Sequence, residues 1–350
     1  MAFSKDGLPQ IREDFKKARQ QPEGWTSNYF INADQEKIFY AKIPALPSTS
    51  PVKGSVVMTT GYGDSIYNEY DSIREWQERG YDVYAMDWAS QGFSQRNPDH
   101  PNRPSSRPLS YHVRDLDQFV HHVVEPQANR PLILSTHSMG GAIGAMYLKE
   151  HPGIFDKAVL AAPMLDLDTS ILPREWFKNI AHVAKNIGLK NMSLPNWRDT
   201  IYDIKNFSMG RGKLSDTFSA TVNDDYKPYE LKLPSWGWVT SAYAAMDKTA
   251  KPDFFHNIKA NILFVSAGHD ELVDNKIIEN AARTAPNGQL LHLPEAQHSI
   301  RSASQKDKET LWRNIDNLLE NSNKMQPITR HEIKNHKSLI SGQDLQPAFG

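Results

Sequence analysis

Among the 350 residues, Ser138 has the strongest case for nucleophilic chemistry. It sits in Leu132-Ile133-Leu134-Ser135-Thr136-His137-Ser138-Met139-Gly140-Gly141-Ala142. There an apolar strand gives way to a short turn, and a helix of small residues starts at once. The pattern fits a nucleophile elbow, G-x-S-x-G, with Thr136 in the first glycine position. Such a turn strains the backbone at the serine and lifts its hydroxyl above the sheet. Gly140 and Gly141 are small where the turn crowds a neighbouring strand. The positive end of the helix favours negative charge near Ser138. A serine that merely caps a helix would give a similar local pattern, so its partners decide the matter.

A serine hydroxyl is a poor nucleophile until a base takes its proton. The expected base is a histidine oriented by a carboxylate, in the chain order Ser, Asp or Glu, His. Asp270 follows Phe264-Val265-Ser266-Ala267-Gly268-His269, on the loop past a strand. His298 ends Leu290-Leu291-His292-Leu293-Pro294-Glu295-Ala296-Gln297-His298, on the loop after the next strand. Both fall at strand C-terminal ends, the edge where open α/β sheets bind ligands. Glu271, Asp274, Glu295, Asp166 and Asp168 are rival acids, better read as helix caps or solvated groups. His292 reads as a packed strand histidine, and His269 stays open. His137 is expected to turn its side chain away from the base. A histidine base must be neutral to act, which predicts activity rising through roughly pH 6 to 8.

The elements that must position these residues follow from hydrophobic periodicity. Strands are expected at 25–32, 37–43, 55–60, 81–86, 131–135, 157–162, 261–266 and 289–293. Helices are expected at 67–79, 113–124, 139–150, 275–284 and 306–319. Strands alternating with helices imply a mostly parallel sheet covered on both faces. The alternation lapses at 165–246, a stretch rich in aromatics (Trp176, Phe177, Trp197, Tyr202, Phe207, Trp236 and Trp238) that reads as an insertion. The segment 97–108 carries four prolines and reads as a long irregular loop. The expected organisation is an N-terminal arm at 1–24, a core at 25–164 and 247–320, a cap insertion at 165–246 and a polar tail at 321–350.

Composition bounds the function. Lys and Arg number 40 against 41 acids, so the net charge is −1, with no broad basic field for nucleic acid. The absence of cysteine excludes thiol nucleophiles and disulfide or cysteine-ligated metal scaffolds. The first 21 residues lack an apolar signal core. The uncharged run 131–148 is about long enough to cross a bilayer, but its Ser, Thr, His and Gly residues read better as a strand entering a helix. The expected location is cytoplasmic. No metal or cofactor is expected: His121 and His122 are neighbours that diverge on a helix, and His331 and His336 lie in the tail. Gly61-x-Gly63 lacks the third glycine of a dinucleotide fingerprint, and 210–213 lacks P-loop spacing.

Taken together, these motifs resemble the α/β-hydrolase superfamily, and within it the lysophospholipase and monoacylglycerol lipase branch. The resemblance spans roughly 25–319. It rests on the elbow, on His151-Pro152, on Ala161-Ala162-Pro163-Met164, and on Asp87-Trp88-Ala89-Ser90-Gln91-Gly92-Phe93-Ser94. Tyr111-His112-Val113-Arg114-Asp115-Leu116, Gly268-His269-Asp270-Glu271-Leu272-Val273 and His298 complete it. The resemblance implies an α/β-hydrolase fold with an inserted cap, and an oxyanion hole built from the backbone N–H groups of Tyr62 and Met139. Thr60 departs from the branch's usual His or Pro, and Ala89 from its usual Arg. The implied function is hydrolysis of the ester of a single-chain lipid, a lysophospholipid or monoacylglycerol, by Ser138, Asp270 and His298. Trp176, Trp197, Trp236 and Trp238 would line an acyl pocket in the cap, which could also touch a membrane surface. The alternatives are a thioesterase or acyltransferase with the same triad, or a ligand-binding member without chemistry.

Overall fold

The computed structural model describes residues 20–98, 101–103, 105–127, 130–167, 174–194, 231 and 234–320. Eight strands form one sheet in the order β1-β2-β4-β3-β5-β6-β7-β8. They are β1 (Thr26–Ile31), β2 (Lys37–Ile43), β3 (Gly54–Thr59), β4 (Tyr81–Met86), β5 (Leu132–His137), β6 (Lys157–Ala161), β7 (Asn261–His269) and β8 (Gly288–Gln297). β1 and β2 pair antiparallel, as do β2 and β4. All other neighbours are parallel. A parallel strand needs a crossover to return the chain, and the helices supply it. The central strands are therefore covered on both faces and read as near-continuous apolar runs. Val56, Val57, Ile133, Leu134, Leu160, Phe264 and Val265 are all buried.

The described α-helices are α1 (Tyr70–Glu78), α2 (Leu109–Phe119), α3 (Met139–Glu150), α4 (Arg174–Ala184), α5 (Trp236–Thr249), α6 (Asn275–Thr284) and α7 (Gln305–Glu320). α3 is buried from Met139 through Leu148, so it carries no polar face. It packs on the sheet and against α2 and α5. The uncharged run at 131–148 is thus β5 followed by α3, and no described helix is long and apolar enough to cross a membrane.

Boundaries differ from the sequence expectation where tertiary pairing extends an element. β7 and β8 continue past the core to His269 and Gln297, pairing across a bulge between Ala267 and His269. That extension carries the chain from the sheet directly to His298. The helix expected from 67 opens instead with a 3-10 turn, Ile66–Glu69, capped by Ser65. The helix expected from 113 begins earlier, directly after Pro108, and ends in a π turn at Val120–Val124. Pro108 sits at the cap, where its missing N–H costs nothing.

Candidate active site

The elbow is the rigid part of the site. Ser138 has φ 52° and ψ −116°, a region that non-glycine residues avoid at a cost of about 1–3 kcal/mol. Its neighbours hold it there. The Ser138 N–H donates to the Ala161 carbonyl at 3.0 Å, and its own carbonyl accepts from Met164 N–H and Gly141 N–H, both at 2.9 Å. The turn fits only because the first residues of α3 are small. A Cβ on Gly141 would lie 2.5 Å from Pro163 Cβ, and one on Gly140 would lie 2.6 Å from the Thr60 carbonyl.

The candidate base, His298, comes from the loop after the edge strand β8. His298 Nε2 lies 2.9 Å from Ser138 Oγ, and His298 Nδ1 lies 2.8 Å from Asp270 Oδ2. The Asp270 side chain is fully buried, and its other oxygen accepts the N–H groups of Leu272 at 2.9 Å and Val273 at 3.1 Å. Those amides fix the carboxylate, the carboxylate accepts the imidazole Nδ1–H, and Nε2 is left to accept the serine proton. Ser138, Asp270 and His298 thus come together from β5, β7 and β8.

The Tyr62 loop closes against the serine from the other side. A Cβ on Gly61 would lie 3.1 Å from Ser138 Cβ and 3.2 Å from His137 Nδ1, so Gly61 sits directly on Ser138. The loop is braced by the segment after β4. Trp88 Nε1–H donates to the Thr60 carbonyl at 2.9 Å. Gln91 accepts from Gly63 N–H at 2.6 Å, and its amide reaches Met139 Sδ at 3.7 Å. Asp87 accepts Ile66 N–H and Phe93 N–H at 2.8 Å each and the Ser65 hydroxyl at 3.0 Å. Burial pushes the Asp87 carboxyl up to about 7 against those hydrogen bonds. A Cβ on Gly92 would lie 2.0 Å from an Asp87 oxygen, at φ +50°, which is why this position is glycine. Thr60 contributes its carbonyl rather than a side-chain bond. Met139 is the first residue of α3, a position whose N–H a helix start leaves without an intrahelical acceptor.

Other residues singled out by the sequence take varied places. His137 does not turn away from the base. Its ring centre is 5.0 Å from that of His298, and its Nε2 bonds the His298 carbonyl at 2.9 Å. The positive-φ turn at Ser138 brings the end of β5 against the His298 loop. Burial, then the neighbouring His298, pushes His137 down to about 4, so it stays neutral. Asp274 caps α6, accepting from Lys276 N–H at 2.8 Å, and Asp166 pairs with Arg174 at 3.0 Å. His292 bonds Ser266 at 2.9 Å, and His269 faces Glu295 at 3.7 Å on the surface.

Of the aromatics expected to line an acyl pocket, Trp238 is 7% exposed and its ring centre lies 4.5 Å from that of Tyr62. Trp236 is half-buried beside Phe177, while Trp176 is 69% exposed on α4. Trp197 and Asp168 lie outside the described residues. Among those residues, no group of three or more His, Asp or Glu could hold a metal. Sequence reasoning missed Arg301, which pairs with Asp64 and Glu69 beside His298. No local pattern marks a partner more than two hundred residues away.

Comparison with known proteins agrees with this architecture. The Hydrolase_4 family model, described as "Serine aminopeptidase, S33", matches residues 50–303. A probable lysophospholipase L2 of Haemophilus influenzae is 21% identical over 305 residues, covering 85% of this chain and 93% of that protein. The monoacylglycerol lipase of Paleococcus ferrophilus superposes with a TM-score of 0.63 at 19% identity, over 81% of this chain and 99% of its own. A soluble variant of the monoglyceride lipase of Saccharomyces cerevisiae, solved with a substrate analog, gives 0.67 at 18% identity, over 87% and 97%.

Proposed function

The chain belongs to the Hydrolase_4 family, and on that premise we propose that it hydrolyses the carboxylic ester of a single-acyl-chain lipid through Ser138, His298 and Asp270. The observation that carries the reading is the unbroken relay from Asp270 through His298 to a strained Ser138. At this level the chain is a lysophospholipase- and monoglyceride-lipase-like α/β hydrolase. Its substrate and its acting residues are the proposal.

In the proposed reaction, His298 Nε2 takes the Ser138 proton as Oγ attacks the ester carbonyl. The carbonyl oxygen becomes an oxyanion, held by the N–H groups of Tyr62 and Met139 at the start of α3. Asp270 stabilises the imidazolium that forms. His298 then protonates the departing alcohol as the carbon–oxygen bond breaks, leaving an acyl-Ser138 ester. Water, deprotonated by the same imidazole, repeats the addition, and the fatty acid leaves. Oxyanion donors in a water-poor site are worth about 3 kcal/mol each, roughly a hundredfold in rate.

The proposed division of the chain is a core at 25–164 and 247–320 with a cap at 165–246. Trp238 supports this, because it joins the cap to the oxyanion loop through Tyr62. The relatives named as lysophospholipase and as monoacylglycerol lipases support a substrate with one acyl chain and a polar head. A fluorophosphonate probe tests the chemistry: it should label wild type and leave Ser138→Ala unlabelled. Absent or surviving label overturns the serine-hydrolase reading. A panel of lysophospholipid, monoacylglycerol, thioester, short-chain ester and aminoacyl amide tests the substrate. Turnover of the thioester or amide alone overturns the lipid-ester reading.

A further inference from the structure

The loop bearing Tyr62 follows β3, and the loop bearing His298 follows β8. In the sheet these strands are separated by β5, β6 and β7. Strand pairing therefore does not set one loop in register with the other. Chemistry requires that register. An oxyanion donor works only at 2.7–3.1 Å from the developing charge, while the base must stay in reach of the same serine.

Two side chains span the gap. Asp64 lies just beyond Tyr62, and Arg301 just beyond His298. The Arg301 guanidinium pairs with the Asp64 carboxylate, and the same nitrogen lies 2.9 Å from Glu69. Asp64 is anchored in turn to its own loop, accepting from Ser65 N–H at 2.9 Å and from the Asn68 amide. The side chain of Asp64 is 10% exposed and that of Arg301 31%. Screening by solvent is weak at such depth. Burial opposes the Asp64 charge, but the guanidinium outweighs it and holds the carboxyl below its ordinary value. The His298 loop has a second tether at the His137 Nε2 bond to its carbonyl. Neither Asp64 nor Arg301 bonds Ser138 Oγ or the His298 ring.

We propose that Asp64 and Arg301 form a positioning pair, an ionic strap that holds the oxyanion loop in register with the loop carrying the base. The proposal rests on the serine-hydrolase reading above. It assigns the strap to the transition state: the Tyr62 N–H must meet the oxyanion while His298 carries the proton. Ground-state binding of the ester depends on neither.

The test compares Arg301→Met, Arg301→Lys, Asp64→Asn, the double variant Asp64→Asn/Arg301→Met, and Glu69→Gln in the full chain. Rates are measured on a p-nitrophenyl ester, with thermal melting alongside. Affinity for a trifluoromethyl ketone, which becomes an oxyanion on Ser138, is measured in parallel. Arg301→Met and Asp64→Asn should each lower kcat by about 10- to 100-fold, at the scale of a misplaced oxyanion donor, with KM within about threefold. Ketone affinity should fall in step with kcat/KM. The double variant should be no slower than the slower single, since one interaction is removed once. Arg301→Lys should recover part of kcat. Glu69→Gln, at the end of the 3-10 turn beyond Asp64, removes one Arg301 partner but leaves the Asp64 pair in place and should keep kcat within about twofold.

A folded Arg301→Met or Asp64→Asn with wild-type kcat overturns the strap, as do multiplicative losses in the double variant. A loss confined to KM overturns it too. Should Arg301→Met fail to fold, Asp64→Asn and Arg301→Lys carry the same comparison. Failure of wild type to take the fluorophosphonate overturns the underlying chemistry instead, so the two failures are separable.

Discussion

Gly140→Ala adds one methyl group next to the nucleophile and should damage catalysis more than stability. The new Cβ would lie 2.6 Å from the Thr60 carbonyl oxygen and 2.9 Å from Thr59 Oγ1, where ordinary contact begins at 3.4 Å. About 0.8 Å must therefore be found. The crowding atom is backbone, and the Trp88 indole holds the same carbonyl from its other side, so a rotamer change cannot relieve it. The end of β3 must move instead, and Gly61 and Tyr62 move with it. Overpacking of this kind costs about 1–3 kcal/mol of stability. Withdrawing one oxyanion donor costs about 3 kcal/mol of barrier, roughly a hundredfold in kcat. Gly144→Ala is the control. Its Cβ would meet side-chain methyls alone, those of Leu134 and Thr136 at 3.1 Å and of Leu160 at 3.8 Å, and no backbone of the Tyr62 loop, so kcat should stay within about threefold. Initial rates on a soluble ester and thermal melts separate the two effects. A folded Gly140→Ala enzyme with wild-type kcat would refute the claim that this carbonyl contact sets the oxyanion loop.

Two further predictions address acid–base linkage and the cap. Burial, against the Asn32 amide, pushes Asp115 up to about 7, so between about pH 4 and 7 the folded chain holds a proton that the unfolded chain releases. Stability from this group is full at the acid end of that window and is lost as pH rises, at up to about 1.4 kcal/mol per unit. Asp115→Asn, which mimics the protonated acid, should gain about 2–4 kcal/mol on wild type between pH 4 and pH 8 in urea melts. A gap that does not change with pH would sink the assignment. In the cap, Trp238→Ala removes the ring against Tyr62 and should lower kcat/KM on a long-chain ester by about tenfold, at the scale of a buried aromatic contact. Trp176→Ala, on an exposed ring, should change the rate on dispersed monomers less than twofold; equal losses would show that neither ring was assigned correctly.

How much was legible depended on how local each signal is. The β5–α3 elbow is written in eleven consecutive residues, and the sheet in strand-length apolar runs, so the fold class and the strained serine turn could be read directly. That Asp270 and His298 meet Ser138 was legible because chain order and strand ends restrict where such partners can sit. The Asp64–Arg301 pair was not, since nothing near either residue points to the other. The orientation of His137 was also missed. Strand alternation fails at the positive φ of Ser138, and that residue decides where the preceding ring goes. Trp176 and Trp238 have the same composition and both lie in the aromatic-rich insertion. Only packing reveals that one is exposed and the other touches the oxyanion loop.

The parts of the site that must hold one geometry are secured in two different ways. The elbow is held by close packing, with Gly140 and Gly141 letting Thr60 and Pro163 into contact with α3. The surrounding loops are anchored by buried apolar side chains such as Trp88, Val273 and Ile300 and carry directional polar bonds as well: Trp88 to Thr60, Gln91 to Gly63, Asp87 to three donors, Leu272 and Val273 to Asp270. Close packing resists compression steeply, since interiors have no slack for even one added methyl group. Hydrogen bonds add direction, because they weaken with misalignment as well as with distance. Steric enclosure thus fixes where the strained Ser138 backbone sits, and the polar bonds fix which way the groups around it face.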